Sequence, residues 1–153
     1  MITASPRQEL LAATEAALRR ILMANGYNTD AGLHVTREPA PALAEDDAEF
    51  ITVLWDQQER ASEPSLQRTH RLTTISVVGK ISARITEAQA RLDALISDIE
   101  QAMADQQFRY PAGIQHPVYQ VAKPLLPKQL NEGWVGVSIT YTSHIPIRRT
   151  PAP

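Results

Sequence analysis

The side chains in this sequence that could build a reactive site are four histidines, one acidic run and two tryptophans. His34, His70, His116 and His144 stand far apart, and no pair has the spacing that puts two ligands on one helical face. They bind a metal only if the fold brings them together, and separate surface or sheet histidines are the plainer reading. Glu45, Asp46, Asp47 and Glu49 supply the carboxylate oxygens a hard divalent cation takes. They lack the glycine and the regular ligand spacing of a calcium loop. A solvated charged loop fits them best, and a charged interface rim second. Trp55 and Trp134 fall in strand-like segments, where core packing is the default use and interface anchoring the other.

Motifs that would organise such groups into a reaction are missing. The sequence contains no G-x-S-x-G turn, no G-x-x-x-x-G-K-S/T and no G-x-G-x-x-G, so neither a nucleophile elbow nor a phosphate cradle has support. Gly79-Lys80 lacks the upstream glycine and reads as a bulge or strand end. Arg148-Arg149 is too small a basic patch to hold nucleic acid by itself. With no cysteine, disulfides, thiol catalysis and cysteine-ligated zinc or iron–sulfur clusters are excluded. No catalytic residue, cofactor or metal site is predicted.

Bulk properties agree with an ordinary folded chain. Its 153 residues suit one domain around one core, with 43% hydrophobic and 21% charged residues. A net charge of −2 and a pI of about 6.1 give no reason to expect nucleic acid or an anionic membrane as the main partner. No stretch approaches the ~20 apolar residues of a membrane span, and "MITASPRQELL" has no basic start followed by an apolar run, so no secretion signal is expected. Eight of the 11 prolines lie from Pro64 onward, in connections and in the "PIRRTPAP" tail. The expected organisation is one α+β domain over 1–145 and a flexible or partner-draped tail over 146–153.

Periodicity supplies the elements. Ser5, Pro6 and Gln8 punctuate a helix start as a capping box does. Leu10, Leu11, Ala17, Leu18, Ile21 and Leu22 make its apolar stripe. "ANGYNTDAG" (24–32) then reads as the end of that helix at Asn25-Gly26 and a turn aiming the first strand, in preference to a ligand loop. Strands are predicted at "LHVTRE" (33–38), "EFITVLWD" (49–56) and "QRTHRLTTISVVGKI" (67–81), with a polar loop over 57–65. The third strand is expected to be buried on both faces toward its end and to project from the sheet as part of a hairpin. A second helix starts at Thr86 and Gln89 and carries Ala88, Leu92, Leu95, Ile96, Ile99 and Met103 on one stripe, with Arg91, Asp93, Asp98 and Glu100 off it. "VYQVAK" (118–123), ended by Pro124, and "GWVGVSITYTSHI" (133–145) complete the set. The order α-β-β-β-α-β-β predicts an α+β fold: a mostly antiparallel sheet of about five strands with two main helices packed on it. Neighbouring strands joined by short turns are expected to pair antiparallel.

The run "LRRILMANGYNTDAG", the short strand "LHVTRE" and the proline-rich turn after it resemble the tail terminator, or tail completion, proteins of long-tailed bacteriophages and prophages. "FITVLWDQQE", "RTHRLTTISVVGKI", "EAQARLDALISDIEQAM" and "GVSITYTSHI" extend the resemblance over about residues 5 to 145. It implies a non-enzymatic subunit of a homohexameric ring in the tail–neck region of the virion, assembled in the host cytoplasm. Such a ring sits on the head-proximal end of the tail tube, stops tube polymerisation and offers the head-joining surface. The implied partners are further copies of the chain, the tail tube protein and a neck or head-completion protein, with no membrane and no specific nucleic acid. Candidate assembly contacts are Glu45, Asp46, Asp47 and Glu49 in the acidic run, Gln57, Glu59 and Arg60 in the polar hairpin, and Arg148 and Arg149 in the tail. The competing readings are another neck or head-completion adaptor, and a small metal-dependent enzyme using the histidines and the acidic run.

Overall fold

A computed structural model of the chain describes residues 3–38, 49–82, 87–105, 110–125 and 133–148. Its elements are α1 (Pro6–Leu18), β1 (Val35–Thr36), β2 (Glu49–Arg60), β3 (His70–Ser82), α2 (Ala88–Asp105), β4 (Val118–Leu125) and β5 (Trp134–Pro146). The fold is α+β, with two helices and a mostly antiparallel five-stranded sheet in the order β1-β2-β3-β5-β4.

Local chemistry starts α1 as expected, because the Ser5 hydroxyl accepts the Gln8 N–H at 3.2 Å with Pro6 in the first helical position. Gln8 does not complete the reciprocal box; its side-chain oxygen accepts from Arg37 Nη1 at 3.3 Å. The helix ends at Leu18, earlier than the apolar stripe indicates. Leu22 is already extended (φ −134°, ψ 140°), and Met23–Asn25 forms a separate 3-10 turn. Gly26 closes that turn at φ 92°, the left-handed geometry that glycine takes without a Cβ penalty. Ile21 is nevertheless fully buried, so it belongs to the core without belonging to the helix.

Several sheet expectations need correction. β1 is only two residues long and pairs parallel with β2, through Val35↔Ile51 and Thr36↔Thr52. β2 runs on to Arg60, so residues 57–60 are strand and not loop. β3 is buried mainly on one face, which carries Thr73, Ile75, Val77 and Ile81, while on the other Thr74 is buried and Ser76, Val78 and Lys80 are half-buried. The β2–β3 hairpin pairs as far as Arg60↔Arg71, but β5 accompanies β3 to His70↔Pro146, so the hairpin does not overhang the sheet. Gly79 is no strand end either: it pairs with Ile51 and Val137 at once. Pro124 lies inside β4, which is tolerated because β4 is an edge strand.

Both helices pack on the face carrying Ile51, Val53, Ile75, Val77, Ile139 and Tyr141. From α2 come Leu92, Leu95, Ile99 and Met103, each worth about 1.5–3 kcal/mol of burial. Asp98, read as lying off the apolar stripe, is also fully buried. Thr86 lies outside the described residues. Neither tryptophan is core: Trp55 is 48% exposed beneath Arg7, and Trp134 is half-buried beneath Lys80 with 4.5 Å from Nζ to the ring centroid.

Candidate assembly surface

The sheet ends in two edges of different character. On one side, β1 covers β2 only at Ile51 and Thr52. From Trp55 to Arg60 every β2 residue is exposed, which places the candidates Gln57, Glu59 and Arg60 at the surface. A bulge between Trp55 and Gln57 shifts the register there. Gln57 and Glu59 face away from the helices, opposite Thr74 and Leu72, whereas Gln58 pairs with Thr73 on the helical side. Arg7 fixes this corner: its guanidinium lies 5.4 Å from the centre of the Trp55 ring, and Nη1 donates to Gln58 Oε1 at 3.2 Å.

The opposite edge is β4, which is exposed along nearly its whole length. Val118, Tyr119 and Val121 are 45%, 49% and 40% exposed. Tyr119 packs edge-on against Tyr141 of β5 with centroids 5.9 Å apart. Behind it lies a cleft of about 460 Å³ lined by Glu100, Met103, His116, Pro117, Tyr119 and Tyr141. Burial holds the Tyr141 phenol well above its ordinary pKa, and the nearby Glu100 carboxylate adds to the effect. Burial also pushes the His116 imidazole down, against the edge of Tyr110 at 5.4 Å. Among the described residues its Nδ1 is buried without a hydrogen-bond partner.

The four histidines do not converge. His144 is a structural latch: the Ser62 N–H donates to Nε2 at 3.2 Å and Nδ1 donates to Gln115 Oε1 at 3.0 Å. Because a backbone N–H can only donate, this arrangement is that of the neutral Nδ1–H tautomer. His70 bonds Thr69 Oγ1 at 2.7 Å, and His34, expected in a strand, caps a 3-10 turn just before β1. Among the described residues no three His, Asp or Glu are grouped so as to hold a metal ion.

Of the acidic run only Glu49 is described, and it is turned inward. It is buried at 6% exposure, with Oε2 3.1 Å from Arg91 Nη2, so its carboxylate belongs to the β2–α2 packing rather than to an outer rim. Glu45, Asp46, Asp47 and Arg149 lie outside the described residues, and Arg148 is exposed. The apolar edge of β4 escaped the sequence reading. Its one signal was Pro124, which demotes a strand to an edge but does not say that the edge stays bare.

No family model matches the chain, and no curated protein matches it either. Among solved structures it is similar to a chain of the "Virion of native gene transfer agent (GTA) particle". The two share 14% identity and a TM-score of 0.50, and the match covers 93% of this chain and 92% of that one. At this identity the likeness is one of fold, and it runs over almost the full length of both chains.

Proposed function

We propose that the chain is a structural protein of a phage-like particle, acting as a tail terminator: a ring that ends tail-tube growth and offers the surface for joining the head. The observation that carries this reading is the full-length likeness to a chain of a virion, covering 93% of the residues. The bare sheet edges and the exposed Gln57, Glu59, Arg60 and Arg148 support it, because a ring needs two different patches, one docking on the other in the next copy. The role is one of assembly and not of catalysis. Copies of the chain, the tube protein and a neck protein are its partners.

Mass measurement and imaging of the purified protein, alone and with tail tubes, test the reading. Closed rings that cap tubes are the expected result. Particles made without the protein discriminate further: overlong tails fit a terminator, whereas tails of normal length that fail to attach fit a joining protein of the neck. A strict monomer that leaves tubes uncapped sinks the proposal.

A further inference from the structure

Resting on that ring reading, we propose which surfaces join successive copies: the outer edge of β4 in one copy lies against the outer edge of the Leu54–Arg60 half of β2 in the next. Among the described residues no strand pairs with either edge.

Three observations point to a second copy of this chain as the occupant. The first is composition. An edge that shows Val118, Tyr119 and Val121 at 40% exposure or more, with unpaired amides beside them, is a template for another strand. Lys123, Pro124 and the bulge between Tyr119 and Val121 are devices that keep an edge from pairing indiscriminately, so the partner must be a matched one.

The second observation is strand direction. β2, β3, β5 and β4 are neighbours in that order and each pair is antiparallel, so β4 runs opposite to β2. A copy repeated in the same orientation therefore brings its β2 alongside β4 antiparallel, with the helices of both copies on the same side. One heterologous contact then covers both bare edges, whereas a two-fold β4–β4 contact leaves β2 and Trp55 uncovered.

The third is charge. Lys123 is the one charged residue of β4, and it shares the helix-free face with Ser138. β2 brings Glu59 to the same face, and Asp56 stands at the bulge between Trp55 and Gln57. Cation therefore meets carboxylate across the joint.

Disulfide trapping tests the contact cleanly, because the chain has no cysteine of its own. Val121 and the pair Gln57 and Glu59 share the helix-free face, so Val121→Cys is combined with Gln57→Cys in one variant and with Glu59→Cys in another, to cover two registers. Mild oxidation of at least one double variant is expected to give a ladder of covalent oligomers that ends at the ring number and collapses with reductant. None of the three single variants should cross-link. A covalent dimer from Val121→Cys alone would mean β4 meets β4 and would overturn the proposal.

As a second measurement, Val121→Asp is expected to lower the oligomeric fraction at least tenfold with an unchanged circular dichroism spectrum; wild-type assembly in this variant overturns the contact. Native mass of the unmodified protein separates the two layers. A ring without cross-links in either double variant sinks the edge contact alone, and a monomer without cross-links sinks the ring as well.

Discussion

Asp98 of α2 holds Thr29 by both of its donors, accepting the backbone N–H and the hydroxyl at Oδ2, each at 2.8 Å, across 69 residues of sequence. Its other oxygen accepts the N–H and the side-chain amide of Asn28 at 2.9 and 3.1 Å. One buried carboxylate thus organises the turn between α1 and β1, and Asp30 adds a bond of 2.8 Å from the Met23 N–H. The segment 24–32 is a clasp between the two halves of the chain.

Replacing Asp98 by alanine removes the acceptor for two backbone amides and a buried hydroxyl. A loss of about 3 kcal/mol in unfolding free energy is expected. Asp98→Asn should cost less, since one oxygen survives. Urea titration of both variants checks the order, and equal stability of Asp98→Ala and the wild type would refute it.

Gly32 is set by space rather than by dihedral angle. A Cβ there would meet Arg19 O at 2.5 Å and Ile21 O at 2.7 Å, both backbone atoms that cannot swing aside. Gly26 has open space but φ +92°. Gly32→Ala is therefore expected to cost about 3 kcal/mol, and Gly26→Ala about 1 kcal/mol. Thermal melting of the two variants should rank them in that order.

His116 gives the fold a pH dependence of known sign. Burial lowers its pKa in the folded state, so the unfolded chain binds the proton more readily. Its contribution is fully present above the unfolded pKa of about 6.5. It is lost as the pH falls from there through the folded value. Between pH 7.5 and about pH 5 the wild type should lose stability relative to His116→Phe as the pH falls; a constant gap between their stability curves would refute the assignment.

Trp55 and Ile99 separate assembly from folding. Trp55 is about half exposed and its contact with Arg7 is a surface one. Trp55→Ala should change unfolding free energy by about 1 kcal/mol or less and weaken assembly. Ile99 is fully buried, and Ile99→Ala should cost about 2–5 kcal/mol. Light scattering beside urea titration reads the two effects apart.

What the sequence made legible was whatever repeats along it. The apolar positions of α2 and the alternation in β5 identify each element and its buried face, because both signals are local. Leu22 misled for the same reason: it continues the helical spacing after the backbone has left the helix. Asp98 was unreadable, since its burial depends on donors 69 and 70 residues away. The parallel pairing of β1 and the exposure of Trp55 are likewise set by which strands become neighbours, and short-range patterns carry no record of that. The candidate contacts differ in placement. Gln57, Glu59 and Arg60 are displayed on the strand end, whereas Glu49, one position in the same acidic stretch, is drawn inward by Arg91.

β3 is paired along all 13 of its residues with β5 and along most of them with β2. The bonds of such a ladder lie across the strands. Tension along β3 therefore strains many of them at once in shear, instead of peeling them open singly from one end. The chain is thereby stiffest along its middle strand.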